Sequence, residues 1–252
     1  RLSGHGSGAG DHGEVRARAA DVGCLLAVEV VPHDLHHRVQ AAAISITNAT
    51  EYGASYSADE VAAIGAVARA RGLRLHMDGA RISNAAAALG LPLRAFTTDA
   101  GVDAVSFGGT KNGMVGGEAV VLLAPELADG FAWIRKQSMQ LASKGRFVAA
   151  QFVSLLEEDL WLRSAAHANA MGARLAAAVG GLPGVQLTQA TQANVVFAIL
   201  PAAITARLLE DWPFYVWNEA TGEVRWMCSW DTTPEDVDAF AAAVADAVGV
   251  AA

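Results

Sequence analysis

Residues 42–81 read AAISITNATEYGASYSADEVAAIGAVARARGLRLHMDGAR, and this stretch decides the fold. Its opening, 42–47, is a short apolar run with β-branched members, the pattern of a buried strand, and 48–56 reads as a loop. Ser57 and Glu60 stand at capping-box spacing, so a helix is expected to start there. Val61, Ile64, Val67 and Ala68 then repeat at helical spacing as far as Gly72, a residue that accepts the left-handed conformation ending many helices. Residues 73–77 return to a strand. The unit is strand, helix, strand.

Outward from this unit the alternation continues. Residues 80–89 are alanine-rich and helical up to Gly90, and 102–107 and 118–123 are further short strands. Such alternation implies a mostly parallel sheet with helices on both faces. Residues 131–179 read as a long helical region broken at Gly145 and Gly172. Strands recur at 185–187, 194–200, 215–218 and 224–229. Thr233, Pro234, Glu235 and Asp236 then open a last helix with a cap, a first-turn proline and acids on the positive end of its dipole. The expectation is an α/β protein with a larger domain over 41–155 and a smaller C-terminal α/β domain over 156–252. Residues 1–40 stand apart, the first 21 being rich in Gly, Arg, His and Ala with little periodicity.

Composition narrows the function. Of 252 residues 53% are hydrophobic and 17% charged, enough to bury a substantial core. Lys and Arg total 18 against 26 Asp and Glu, for a net charge of −8, which argues against a protein that holds nucleic acid through its phosphates. A small-molecule site is the better expectation. Cys24 and Cys228 are too far apart and too few for a disulfide scaffold or a zinc ribbon, and they suit a reducing compartment. The apolar runs, such as 115–125, fall short of the roughly 20 residues that span a bilayer, and no signal peptide is seen. These features point to a soluble, cytoplasmic protein without a membrane or nucleic-acid partner.

Two segments carry chemistry. His76-Met77-Asp78-Gly79-Ala80-Arg81 falls at the carboxyl end of an expected strand, where open α/β sheets place ligands; the bland reading is that Asp78 only caps the next helix. Ser106-Phe107-Gly108-Gly109-Thr110-Lys111-Asn112-Gly113 follows another strand end, with a lysine among small and hydroxyl-bearing neighbours; the bland reading is a surface turn. Taken together, an acid and an amine at neighbouring strand ends suit pyridoxal phosphate, which needs a lysine amine and an acid against its pyridine nitrogen. Other signals are weaker. Gly8 to Gly13 fits G-x-G-x-x-G without a preceding strand, and His33, His36 and His37 lack a second cluster to complete a metal site.

DGAR, SFGGTKNG, the preceding ITNATEYGASYS and the following RKQSMQLASKGRF resemble the low-specificity threonine aldolases, a branch of the β-eliminating lyases in the aspartate-aminotransferase-like class of pyridoxal phosphate enzymes. The resemblance runs from about Ala42 to the C-terminus. It implies that Lys111 is the Schiff-base lysine, that Asp78 faces the pyridinium nitrogen, and that Arg81 donates to the cofactor's phenolic oxygen. It also implies Ser106 and Thr110 near the phosphate and Arg225 on the substrate carboxylate, where a guanidinium offers a bidentate fork. His76, on the same strand face as Asp78, reads more as packing than as a base. Lys136, Lys144 and Arg146 lie where the family brings basic groups across a subunit interface, so a homodimer or homotetramer is implied.

The implied reaction is cleavage of threonine or allo-threonine to glycine and acetaldehyde. The alternatives are a phenylserine aldolase, another β-eliminating amino-acid lyase, or an inactive fragment that acts only in self-association. The family's phosphate loop and ring-stacking histidine, which precede the matched segment, have no counterpart in residues 1–40. The chain is therefore expected to be N-terminally incomplete, with an altered reading frame or a chimeric end over about residues 1–30.

Overall fold

The computed structural model describes residues 41–251. The deciding stretch folds as β1 (Ala43–Thr47), α1 (Ala58–Ala70) and β2 (Arg74–Gly79). Both halves of the expected capping box form: Ser57 Oγ accepts from Glu60 N–H at 3.2 Å, and Glu60 Oε2 accepts from Ser57 N–H at 2.8 Å. α1 buries Val61, Ile64, Gly65 and Ala68. α2 (Ile82–Leu89) follows and ends at Gly90 in the left-handed conformation, at φ 62°. It starts at Ile82 rather than Ala80, because Asp78 Oδ1 accepts from Ala80 N–H at 2.9 Å and holds residues 78–80 in a turn.

β3 (Ala104–Gly108) and β4 (Glu118–Leu122) complete the first sheet, in the order β1-β2-β3-β4. The first three strands are parallel and β4 is antiparallel to β3. Ile44, Ile46, Leu75, Met77, Val105 and Phe107 build its core with α1 and α2.

Three helices come next, α3 (Phe131–Gln137), α4 (Gly145–Leu156) and α5 (Leu160–Val179). The breaks differ from those expected. Gly145 opens α4, and Gly172 lies inside α5; the interruptions fall before residue 145 and at Glu158 and Asp159, whose φ values are 50° and 56°. Gly172 is there for packing: a Cβ would sit 3.1 Å from Ala193 O and 3.2 Å from Asn194 Cα, so the bare backbone lets α5 lie against the approach to the next sheet.

That sheet contains β5 (Gln186–Leu187), β6 (Val195–Ile199), β7 (Tyr215–Asn218) and β8 (Glu223–Met227), all antiparallel in the order β5-β6-β8-β7. α6 (Ala202–Leu208) follows β6, and α7 (Pro234–Ala251) ends the chain, started by a reciprocal Thr233–Asp236 cap. Met171, Leu175, Val196, Val224, Trp226 and Val244 belong to this second core. The division read between residues 155 and 156 falls at the end of α4, and α5 packs on both cores, through Trp161 and Leu162 on one and Met171 and Leu175 on the other. The G-x-G-x-x-G match, the histidine trio and Cys24 lie outside the described residues.

Candidate active site

The site begins with strand parity. On β2, Leu75 and Met77 point into the core, so His76 and Asp78 share the opposite face. The parallel register sets Thr47 and Ser106 on either side of Asp78, and Ser45 beside His76. His76 bridges all three strands: Nδ1 lies 2.8 Å from Ser45 Oγ and Nε2 lies 2.9 Å from Ser106 Oγ. With both ring nitrogens engaged by serine hydroxyls, His76 orders the floor beside Asp78.

Lys111 follows the end of β3. Gly108 brings that strand end close to the Asp78 loop, since a Cβ there would lie 2.4 Å from Ala80 O. A short 3-10 turn, Thr110–Asn112, then exposes Lys111 and ends at Gly113 with φ 107°. Thr110 Oγ1 accepts from Gly117 N–H at 3.0 Å, and Asn112 Nδ2 donates to Trp161 O at 2.8 Å, so both neighbours of the lysine are tied down. Trp230 packs 3.5 Å from where a Gly113 Cβ would be. The two hydroxyls expected near a phosphate, Ser106 and Thr110, thus both have partners within the protein.

The second sheet supplies one cation and the β2–α2 turn another. Arg225 lies on β8 with its guanidinium 5.2 Å from the Trp217 ring and 6.0 Å from the Phe197 ring. Its Nε is buried without a hydrogen-bond partner among the described residues. Arg81, from the other core, donates to Met227 Sδ at 3.6 Å, two residues along the same strand. Burial pushes both guanidinium groups down, and Arg81 adds repulsion at Arg225; Glu51 opposes the shift at both. Neither arginine is in an ion pair with a described residue. Two half-buried cations that repel each other, one with a free donor, form a site for an anion.

Sequence reasoning missed Glu51, Tyr52 and the Phe197–Trp217 pair. Tyr52 stacks on Phe197 at 5.0 Å and meets Trp217 edge-on at 5.4 Å, so the 48–57 loop walls the arginine. Its presence inside the ITNATEYGASYS segment was the available signal. The loop also bonds the second core, with Ser55 N–H donating to Gln192 Oε1 at 2.8 Å.

A parallel three-strand core with an antiparallel edge, a second antiparallel sheet and a site between them is the architecture of the aspartate-aminotransferase-like enzymes. The threonine aldolase of Leishmania major superposes with a TM-score of 0.78 at 29% identity, over 84% of this chain and 63% of that one. A glycine decarboxylase (P-protein) of the glycine cleavage system shares the fold at 15% identity, with a TM-score of 0.61 over 82% and 55% of the two chains. Residues 22–200 match the beta-eliminating lyase family, and the chain belongs to that family. The match reaches upstream of Ala42, where the sequence resemblance was first read. A low specificity L-threonine aldolase of a Pseudomonas species is 45% identical over 210 residues, 83% of this chain and 60% of the relative. Another, of Pseudomonas aeruginosa, is 46% identical over 205 residues, 81% and 59% of the two. The chain therefore spans about 60% of the length of these relatives.

Proposed function

We propose that this chain carries the site of a pyridoxal-phosphate-dependent carbon–carbon lyase that cleaves threonine or allo-threonine to glycine and acetaldehyde. The observation that carries the reading is the half-buried Arg225 guanidinium of the second sheet, which feels the charge of Arg81, three residues past Asp78; Lys111 follows the end of the strand that pairs with the Asp78 strand. The relatives' names support the choice of substrate.

The residues fit the cofactor at its ring end. Lys111 would hold its aldehyde carbon, Asp78 the pyridine nitrogen and Arg81 the phenolic oxygen. Ser106 and Thr110 would reach the phosphate by exchanging their present bonds to His76 and Gly117. When bound, pyridoxal phosphate supplies a ring that accepts the electrons of the broken Cα–Cβ bond. The protein's own contribution is positional and electrostatic. Arg225 binds the substrate carboxylate between its aromatic walls and orients the amino acid. Asp78, steadied through Ala80 N–H, would stand beside the ring nitrogen and favour its protonated form.

Among the described residues no helix is long and apolar enough to cross a membrane. Cys228 is free and buried, which fits a cytoplasmic, reducing setting. The test is a visible absorption spectrum with added pyridoxal phosphate, followed by a threonine assay. A borohydride-sensitive band and glycine release are expected, and both are lost in Lys111→Ala. Glycine release that survives in Lys111→Ala overturns the assignment.

A further inference from the structure

The 48–57 loop carries a single acid, Glu51, and contacts on either side of it fix its place. Asn48 is fully buried, and its side chain accepts from Tyr56 N–H at 3.1 Å and donates to Tyr56 O at 3.3 Å. Asn48 N–H donates to Asp78 O at 2.9 Å and Ala49 N–H to Arg81 O at 3.4 Å, so the loop starts along the β2–α2 turn. A turn closed by Gly53 N–H on Thr50 O at 2.9 Å then carries the chain toward the second sheet. There Tyr52 packs on Phe197 and Trp217, the rings beside Arg225. Glu51 thus stands between a backbone contact with Arg81 and a side-chain contact with the wall of Arg225. We infer that Glu51 is the base that takes the proton from the substrate's β-hydroxyl, an assignment that rests on the lyase reading of this site.

The charges agree with the backbone. Burial lowers both Arg81 and Arg225, and Glu51 opposes that shift at each of them. Tyr215 also acts on Arg225, but of these two acids only Glu51 acts on Arg81 as well, as a group between the guanidiniums must. Among the described residues Glu51 forms no ion pair with either arginine, so its carboxylate faces the two cations without being tied to them. An amino acid held by Arg225 carries its carboxylate and its Cβ on the same Cα. A base beside both arginines is therefore within reach of the hydroxyl on Cβ. The other acid and the histidine of the site have different partners. Asp78 serves the ring nitrogen, and His76, two residues further from the strand end, meets Ser45 and Ser106 with its two nitrogens.

The step balances without an added oxidant or reductant. The hydroxyl O–H bond breaks and its proton goes to a Glu51 carboxylate oxygen. The electron pair it leaves forms the aldehyde C=O, and the Cα–Cβ pair departs with the glycine fragment. Glu51 then returns its proton to water, and Cα takes one up. A positioned general base contributes about a hundredfold to ten-thousandfold in rate. Because Glu51 is exposed, its replacement by glutamine disturbs little of the packing.

The experiment uses the full chain with added pyridoxal phosphate and compares the parent with Glu51→Gln and Glu51→Asp. Glycine binding is followed in the visible absorbance, and threonine cleavage by glycine release. Glu51→Gln is expected to keep the parent's absorption band and a thermal midpoint within a few degrees. Its kcat for threonine falls about a hundredfold or more. Its glycine affinity is unchanged or tighter, because glycine has no β-hydroxyl and the charge that competed with its carboxylate is gone. Glu51→Asp keeps a carboxylate and is expected to retain a larger kcat than Glu51→Gln. A kcat for Glu51→Gln within about threefold of the parent overturns the assignment, as does a change confined to glycine affinity and KM, which is the signature of an electrostatic role alone. Glu51→Asp as slow as Glu51→Gln overturns it too. A parent chain that forms no band and releases no glycine overturns the lyase reading and this assignment together, whereas an active parent with an equally active Glu51→Gln overturns only the role of Glu51.

Discussion

Arg225 is a cation placed where a cation is expensive. Its guanidinium is half-buried beside Phe197 and Trp217, it feels repulsion from Arg81, and its Nε has no partner among the described residues. An anion held by the guanidinium relieves desolvation and repulsion together. Lysine keeps the charge but loses the planar fork and the stacking face. Arg225→Lys is therefore expected to weaken glycine binding about tenfold or more, the worth of one charge-assisted hydrogen bond. The check is a glycine titration followed in the visible absorbance of the protein with added pyridoxal phosphate. An unchanged glycine affinity would remove Arg225 from the substrate site. At this scale the strand-end positions of Asp78 and Lys111 were legible in the sequence, because short apolar runs mark the strands that precede them. It was silent on Glu51 and Tyr52, whose effect on Arg225 arises from a loop folding across to the second sheet.

Among the elements, the 48–57 loop is one that ties the first core to the second, beside α5. Gly53 makes this loop turn, at φ 76°, and a Cβ on it would come within 2.2 Å of Val195 Cγ1 on β6. Gly53→Ala thus combines an unfavourable backbone conformation with a collision against the second core. A loss of about 1–3 kcal/mol is expected, read as a lower urea midpoint with little change in slope. A variant as stable as the parent would show that the loop is not clamped to β6. The strands and α1 were legible because a capping box and apolar periodicity are local signals, and here the local and tertiary preferences agree. Gly172 shows the limit. Read locally, a glycine in a helical run is a break; its cause is the distance to Ala193 and Asn194, residues distant in sequence. Likewise Ser106 was legible as a residue near the site, while its bond to His76 depends on strand register.

For the whole molecule, the dominant feature is the apolar surface that α3, α4 and β4 leave uncovered. Trp133 is 72% exposed, Phe147 65%, Val153 57% and Val120 57%. Single exposed apolar residues are ordinary, but a run of them across consecutive elements marks a surface that another surface covers. Lys136, Lys144 and Arg146 share this region, so an occupant that buries it also brings its own chemistry near those cations. We propose that a second copy of the chain is that occupant, since self-association covers the surface without requiring any other molecule. Sedimentation of the purified chain is then expected to give a mass at least twice the 26.1 kDa of the monomer, rising with concentration. Trp133→Glu combined with Phe147→Glu places two charges in the patch and shifts the distribution to monomer. Because both side chains are largely exposed, the substitutions are expected to leave the thermal midpoint of the monomer within a few degrees of the parent. A parent chain that stays monomeric at every concentration, or a double variant that associates as strongly as the parent, overturns the pairing of copies through this face.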